Sequence, residues 1–203
     1  MLNLVFLSFF SEKSWKTSLE IDGESTEITL RPMEKSDEED FNEWSTEYKV
    51  TRFCTVEAYI PKNDHSLKYS QYRAIPNIWF RVISMNNKAI GFISVSPNFG
   101  LDECRADLAY ALAYKYWGKG IVTAAVKVVA CKIFSEWPHL QRLEAMVDME
   151  NKGSQRVLEK AGFLKEGVLR KYLVKRGMPR DMVMFSLLDT DVGVSNKQVE
   201  LKI

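Results

Sequence analysis

The sequence predicts an α/β (α+β) domain whose sheet carries antiparallel strands at both ends. Three observations predict it. Alternating apolar runs of strand length interleave with helix-period segments between residues 26 and 190. Two of those runs flank Asn86-Asn87-Lys88, a tight-turn sequence that marks a hairpin. Trp117-Gly118-Lys119-Gly120 stands where a strand-like run ends and a long apolar helix begins, and a glycine pair at such a junction lets backbone come close to a ligand.

The elements follow in order. Residues 27–32 read as a first strand, and Ser36-Asp37-Glu38-Glu39 supplies a cap and an acidic first turn for a helix to about Trp44. A second helix is expected over 64–73. Strands over 78–83 and 89–95 form the hairpin, and 97–101 its exit loop. A strand over 106–112, a central helix over 118–135, a short buried strand over 143–147 and a helix over 151–160 come next. Strands over 168–174 and 182–187, separated by a loop over 175–179, close the domain.

Composition narrows the function. With 203 residues, 46% apolar and 27% charged, the chain suits one domain with a full core. A net charge of +1 creates no overall field toward nucleic acid or anionic membrane, so neither is expected as a partner. Cys54, Cys104 and Cys131 are odd in number and lack C-x-x-C spacing, which fits a reducing, cytoplasmic setting rather than a disulfide framework. His65 and His139 are far apart, and no metal is expected. The apolar start, Met1 to Phe10, is shorter than the roughly 20 residues that span a bilayer. The expected organisation is a poorly ordered leader over 1–25, one domain over 26–190 and a polar tail over 191–203.

The junction carries the chemistry. A helix start leaves backbone N–H groups without intrahelical partners and carries partial positive charge, so a phosphate lying there gains hydrogen bonds and favourable electrostatics. Arg170, Lys171, Lys175, Arg176 and Arg180 gather near the last strands, and read either as a solvated hairpin or as the wall of a groove for an acidic acceptor.

Three sets of residues resemble the GNAT superfamily of acyl-CoA-dependent N-acyltransferases, RimJ/RimL type. Tyr116-Trp117-Gly118-Lys119-Gly120 is similar to that branch's pyrophosphate loop. The segment from Asn151 through Ser154, Arg156, Val157, Leu158, Glu159 and Lys160 to Gly162-Phe163 resembles its N-x-x-S-x-R-V-L-E-K-x-G-F helix. Leu30-Arg31-Pro32, Arg170 and Asp181 match scattered positions, and Val122 departs from the Gly or Ala usual at the end of the loop.

The resemblance implies a mixed, mostly antiparallel twisted sheet of about seven strands, with helices on both faces and a splayed strand pair at the acyl-CoA site. It implies acetyl-CoA as cosubstrate, with Gly118, Lys119, Gly120, Ile121, Val122 and Thr123 giving backbone N–H groups to pyrophosphate. Tyr110, Ala111 and Leu112 would pair with pantetheine, and Asn151 would cap its helix or bond the same portion. The reaction implied is acetyl transfer to a primary amine, most simply a protein N-terminal α-amine, by direct attack in a ternary complex. A silent acyl-CoA-binding domain and a small-molecule amine acetyltransferase are the alternatives, with a monomer or homodimer in each case.

Transfer needs a neutral amine and a protonated leaving thiolate. Many members of the superfamily place a tyrosine for the second task where this chain has Leu158, so Ser154, one turn earlier, is assigned to protonating or positioning the thiolate, the other reading being a helix-start serine bonded to backbone. Asp107 and Glu144 lie on the flanking strands as candidate bases. Glu144 is preferred, with a water chain as a substitute, because an uncertain strand boundary reverses which way each points.

Overall fold

The computed structural model describes residues 13–53 and 78–192. One sheet contains β1 (Trp15–Ile21), β2 (Glu24–Arg31), β3 (Trp79–Met85), β4 (Lys88–Pro97), β5 (Arg105–Leu112), β6 (Arg142–Asp148), β7 (Leu164–Lys175) and β8 (Met178–Leu188). Their spatial order is β1-β2-β3-β4-β5-β6-β8-β7. Every neighbouring pair is antiparallel except β5 and β6, which are parallel. The helices used below are α1 (Glu38–Ser45), α2 (Tyr48–Thr51), α3 (Ile121–Glu136) and α4 (Lys152–Lys160).

Eight strands replace the expected seven because the leader does not extend to residue 25. β1 pairs with β2 from Trp15↔Leu30 to Ile21↔Glu24. Trp15, Leu19 and Ile21 alternate with polar residues, and Asp22-Gly23, at φ 54° and 86°, makes the turn. Trp15 is buried and stacks on Trp79 with ring centroids 4.8 Å apart, which anchors the strand. Residues 1–12 of the expected leader, the helix expected over 64–73, Cys54, His65 and residues 193–203 lie outside the described residues.

Strand alternation sorts the core onto two faces. Trp79, Ile83, Ile93, Leu108 and Leu143 pack with Ile121, Val126 and Ile133 of α3 and with Leu158 of α4. Phe80, Val82, Phe92 and Ala111 pack instead with Phe41 and Trp44 of α1. Helices therefore cover both faces, as the fold class requires. At the end of β2, Arg31 turns to the α1 face: its guanidinium holds Asp37, ahead of α1, through bonds of 2.7 and 2.6 Å, and Asp37 also accepts the Glu34 amide at 2.8 Å.

Two boundaries shift for stated reasons. α3 begins at Ile121 rather than at 118 because Gly118 and Gly120 both hold φ 79°, outside the helical region. The last hairpin is longer than expected because Arg176 and Gly177, at φ 49° and 77°, form a two-residue turn, so Pro179 lies within β8 opposite Val174. β8 pairs with β6 only from Met182 onward, and Pro179 thus removes no donor needed by a second neighbour.

The parallel pair is incomplete. β5 and β6 are in register at Arg105↔Arg142, Ala106↔Leu143 and Asp107↔Glu144, and no further, although β5 runs on to Leu112 and β6 to Asp148. The expected splay is this open length.

Candidate active site

A cavity of about 500 Å³ fills the splay, within the range of small-ligand sites. Gly118, Gly120, Ile121, Val122 and Thr123 line one end, Tyr110, Asn151 and Ser154 the middle, and Val50, Phe53, Met146 and Met182 the other end. Because Val50 belongs to the α1 side and Ile121 to the α3 side, the cavity crosses the sheet.

At the α3 end the backbone is set for an anion. Gly120 is the residue before the helix, has no side-chain cap, and is followed by a first turn without acidic residues. The first intrahelical bond shown runs from the Ala124 amide to the Gly120 carbonyl at 3.0 Å, which leaves the amides of Ile121, Val122 and Thr123 without acceptors inside the helix. A Cβ built on Gly118 or Gly120 meets no protein atom within 4 Å, so the space above the loop is open. Val122 packs its side chain against the core, and its departure from the small residue usual in the resembling loop leaves the amide in place. Lys119 pairs with Asp22 of the β1–β2 turn, so its ammonium is engaged within the protein. Arg156 and Lys160, which the sequence marks as part of the helix motif but not as ligand residues, also line the cavity and add positive charge suited to a polyphosphate. The residues present fit the pyrophosphate of a coenzyme.

Alternation decides which groups of β5 face the gap. Ala113 donates to the Ile90 carbonyl of β4 at 2.8 Å, and β4 and β5 are in register at Phe92↔Ala111 and Ile93↔Tyr110. Antiparallel pairing then turns the amide and carbonyl of Ala111 toward β4, and those of Leu108, Tyr110 and Leu112 toward β6. Of the three residues expected to pair with pantetheine, Tyr110 and Leu112 therefore present backbone groups to the gap and Ala111 does not. The Leu112 carbonyl already accepts the Trp117 indole N–H at 2.7 Å, which leaves its amide for a ligand.

On α4, Asn151 caps the helix by accepting the Ser154 amide at 3.1 Å. The Ser154 hydroxyl meets the Tyr110 hydroxyl at 2.7 Å, and the same phenol lies 3.2 Å from the Ser154 carbonyl oxygen. Burial pushes the Tyr110 phenol well above its ordinary value, and the bond to Ser154 only partly offsets this. Leu158 is fully buried in the core, so a hydroxyl at its position would not stand free in the cavity.

The two candidate bases are placed away from that hydroxyl. Leu143, Ala145 and Val147 of β6 turn toward α3 and α4, so Glu144 turns to the opposite face at the closed end of the splay. Arg105 and Arg142 each hold it at 2.7 Å, and it does not line the cavity. Burial first, and then the Glu144 charge, raises the Asp107 carboxyl, while Asn98 at 3.3 Å works the other way. The carboxylate that does line the cavity among the described residues is Asp148, which the sequence reading missed.

Three of the five residues of the basic cluster are engaged internally. Arg180 holds Asp148 and Glu150, Lys175 donates to the Thr51 and Arg52 carbonyls at 3.3 and 2.9 Å, and Arg176 lies over the Tyr48 ring. Arg170 and Lys171 are exposed, as a solvated hairpin would have them, whereas these three residues are held. Lys175 and Arg176 tie the tip of the last hairpin to α2.

Comparisons with known proteins agree with this geometry. A family model described as an acetyltransferase (GNAT) domain matches residues 27–164. The uncharacterized N-acetyltransferase p20 of Bacillus licheniformis is 30% identical over 79% of this chain and 92% of its own length. The [ribosomal protein uS5]-alanine N-acetyltransferase of Escherichia coli is 33% identical over 41% of this chain and 43% of its own length. In fold, the chain is similar to Mycobacterium smegmatis RimJ in complex with CoA-disulfide, with a TM-score of 0.72, 22% identity and 89% of each chain covered.

Proposed function

Because the chain belongs to the GNAT acetyltransferase family, and is an N-acetyltransferase that uses acetyl-CoA, we propose that its acceptor is the N-terminal α-amine of a protein. The observation that carries this reading is the state of the carboxylates. Glu144 is held by two arginines, and Asp148, lining the cavity, is held by Arg180. Among the described residues no carboxylate stands ready in the cavity to take a proton from a strongly basic amine. An α-amine with a pKa of about 8 is roughly one-tenth neutral at pH 7, whereas a lysine at about 10.4 is neutral in roughly one molecule in 2,500. The first needs little help. The name of the uS5-directed relative points the same way.

The principal residues of the cavity each take a part in this reading. Gly118, Lys119, Gly120, Ile121, Val122 and Thr123 hold the pyrophosphate with backbone amides, and the Tyr110 and Leu112 backbone groups align the pantetheine. Asn151 fixes the start of α4 and so the position of Ser154. Acetyl-CoA supplies an acyl group on a thioester and leaves as a thiol. Ser154 then donates a proton to the departing sulfur, in place of a residue at position 158. Val50, Phe53 and Met182 give the acceptor end an apolar wall, and water carries the proton shed by the attacking nitrogen. No helix among the described residues is long and apolar enough to cross a membrane, and the reading places the reaction in the cytoplasm with ribosomal proteins as candidate acceptors.

The test is thiol release from acetyl-CoA with peptides bearing free N-termini, the same peptides with blocked N-termini and an internal lysine, and a set of small amines and polyamines. Turnover confined to free N-termini supports the reading. Preference for lysine side chains or polyamines overturns it in favour of another acceptor.

A further inference from the structure

The reading of Ser154 as proton donor leaves one point open, which is how its single hydroxyl proton comes to face the sulfur. We propose that Tyr110 is the positioning residue for Ser154, its phenol O–H donating to Ser154 Oγ and so turning the serine proton into the cavity. The inference rests on the assignment of Ser154 made above.

The geometry carries it. A serine in the first turn of a helix ordinarily satisfies its hydroxyl on nearby backbone, where its proton does no chemistry. Here the backbone need is met by Asn151, whose side chain takes the Ser154 amide, and the hydroxyl instead meets a phenol from another element at 2.7 Å. Two arrangements of that contact exist. In one the serine donates to the phenol, and the phenol donates to the Ser154 carbonyl at 3.2 Å, so the serine proton is consumed. In the other the phenol donates to Ser154 Oγ and the serine proton is free. A thiolate forming in the cavity is a strong acceptor and selects the second arrangement. Both side chains line the cavity that crosses the splay, so the freed proton has a path to the sulfur.

Tyr110 itself is not consumed. As the C–N bond forms and the C–S bond breaks, Ser154 gives its proton to sulfur and is reprotonated by the proton that the attacking nitrogen sheds into the solvent of the cavity. The net transfer is from nitrogen to sulfur, and the phenol keeps its proton throughout. Burial keeps that phenol protonated well above ordinary working pH, which suits a permanent donor.

The test uses the full chain as Tyr110→Phe, Ser154→Ala and the double variant, with two readouts. The first is kcat for thiol release with a saturating acceptor. Ser154→Ala is expected to lower it about 100-fold and Tyr110→Phe at least tenfold, with the double variant no slower than Ser154→Ala alone, because Tyr110 acts only through the serine. The second is coenzyme A binding by calorimetry against pH. Wild-type affinity should rise as the bound thiol ionises near about pH 8.5, where Ser154 meets the thiolate, and Tyr110→Phe should flatten that rise as Ser154→Ala does. Independent, multiplying losses in the double variant overturn the inference and leave Ser154 in its role. A Tyr110→Phe loss confined to coenzyme affinity at all pH values also overturns it, in favour of simple packing. An unimpaired Ser154→Ala overturns the serine assignment and this inference with it.

Discussion

Arg180 grips Asp148 with both ends of its guanidinium, Nε to Oδ2 at 2.8 Å and Nη2 to Oδ1 at 2.9 Å, at the point where β6 leaves the sheet and enters the cavity wall. Burial alone would push the Asp148 carboxyl up. Arg180 and the Glu150 amide more than offset this, and the group sits below its ordinary value. Arg180→Ala removes the main partner of a carboxylate that is 7% exposed, and is expected to lower stability at pH 7. A lowered acid contributes stability above its unfolded pKa of about 3.9 and loses it as pH falls further. Urea denaturation of wild type and variant should therefore differ clearly at pH 7 and converge at acid pH, and an equal gap at both would refute the ion-pair account.

Glu166 gives a second acid signature. Arg142, through bonds of 2.7 and 2.6 Å, and then Ser186 at 2.7 Å lower its carboxyl from 4.5 to about 2. Its contribution is fully present above about pH 4.5 and disappears as pH falls toward 2. The side chain is 38% exposed, so screening holds the effect within about 1 kcal/mol. Glu166→Gln should lower stability at pH 7 and flatten the acid limb of the stability curve, as read from denaturation midpoints at pH 7, 4 and 3.

Gly120 separates binding from folding. At φ 79° an alanine is strained by about 1 kcal/mol, and its methyl would enter the open space above the loop. Gly120→Ala should leave the protein folded, with Tm down by a few degrees, while the acetyl-CoA Kd rises at least tenfold. A Kd within twofold of wild type would mean that the phosphate does not lie there.

Arg31 is predicted to behave in the opposite way. Its partner Asp37 is almost fully buried and also holds the Glu34 amide, so Arg31→Ala leaves a charge without compensation ahead of α1. The expected cost is about 3 kcal/mol, seen in thermal or urea denaturation. Since neither residue lines the cavity, the acetyl-CoA Kd of the folded fraction should be unchanged.

Much of this arrangement is legible in the residues, and the remainder has physical reasons for being hidden. The glycine loop ahead of α3 can be read because left-handed backbone at Gly118 and Gly120 leaves its mark on residue type, and Asn151 can be read because a cap must be a short polar side chain. β1 carries its own signal in Asp22-Gly23 behind an alternating run, but the apolar segment ahead of it invites treatment of the whole stretch as a leader. The facing of Glu144 could not be read, since a shift of one residue turns a strand over. Tyr110 could be expected to offer its backbone to the gap. That its phenol reaches Ser154 depends on how α4 lies across β5, and no local pattern encodes that.

The short β5–β6 ladder divides the sheet into a five-strand plate and a three-strand plate joined by three rungs. A ligand paired with the free edge of β5 serves as a temporary ninth strand and bridges part of the missing length. On the proposed binding mode the enzyme would complete its own sheet on taking up acetyl-CoA and reopen it on releasing coenzyme A. With the coenzyme bound as proposed, affinity for the cosubstrate and cohesion between the plates would be thermodynamically coupled, so that a change closing the empty seam is expected to weaken coenzyme binding.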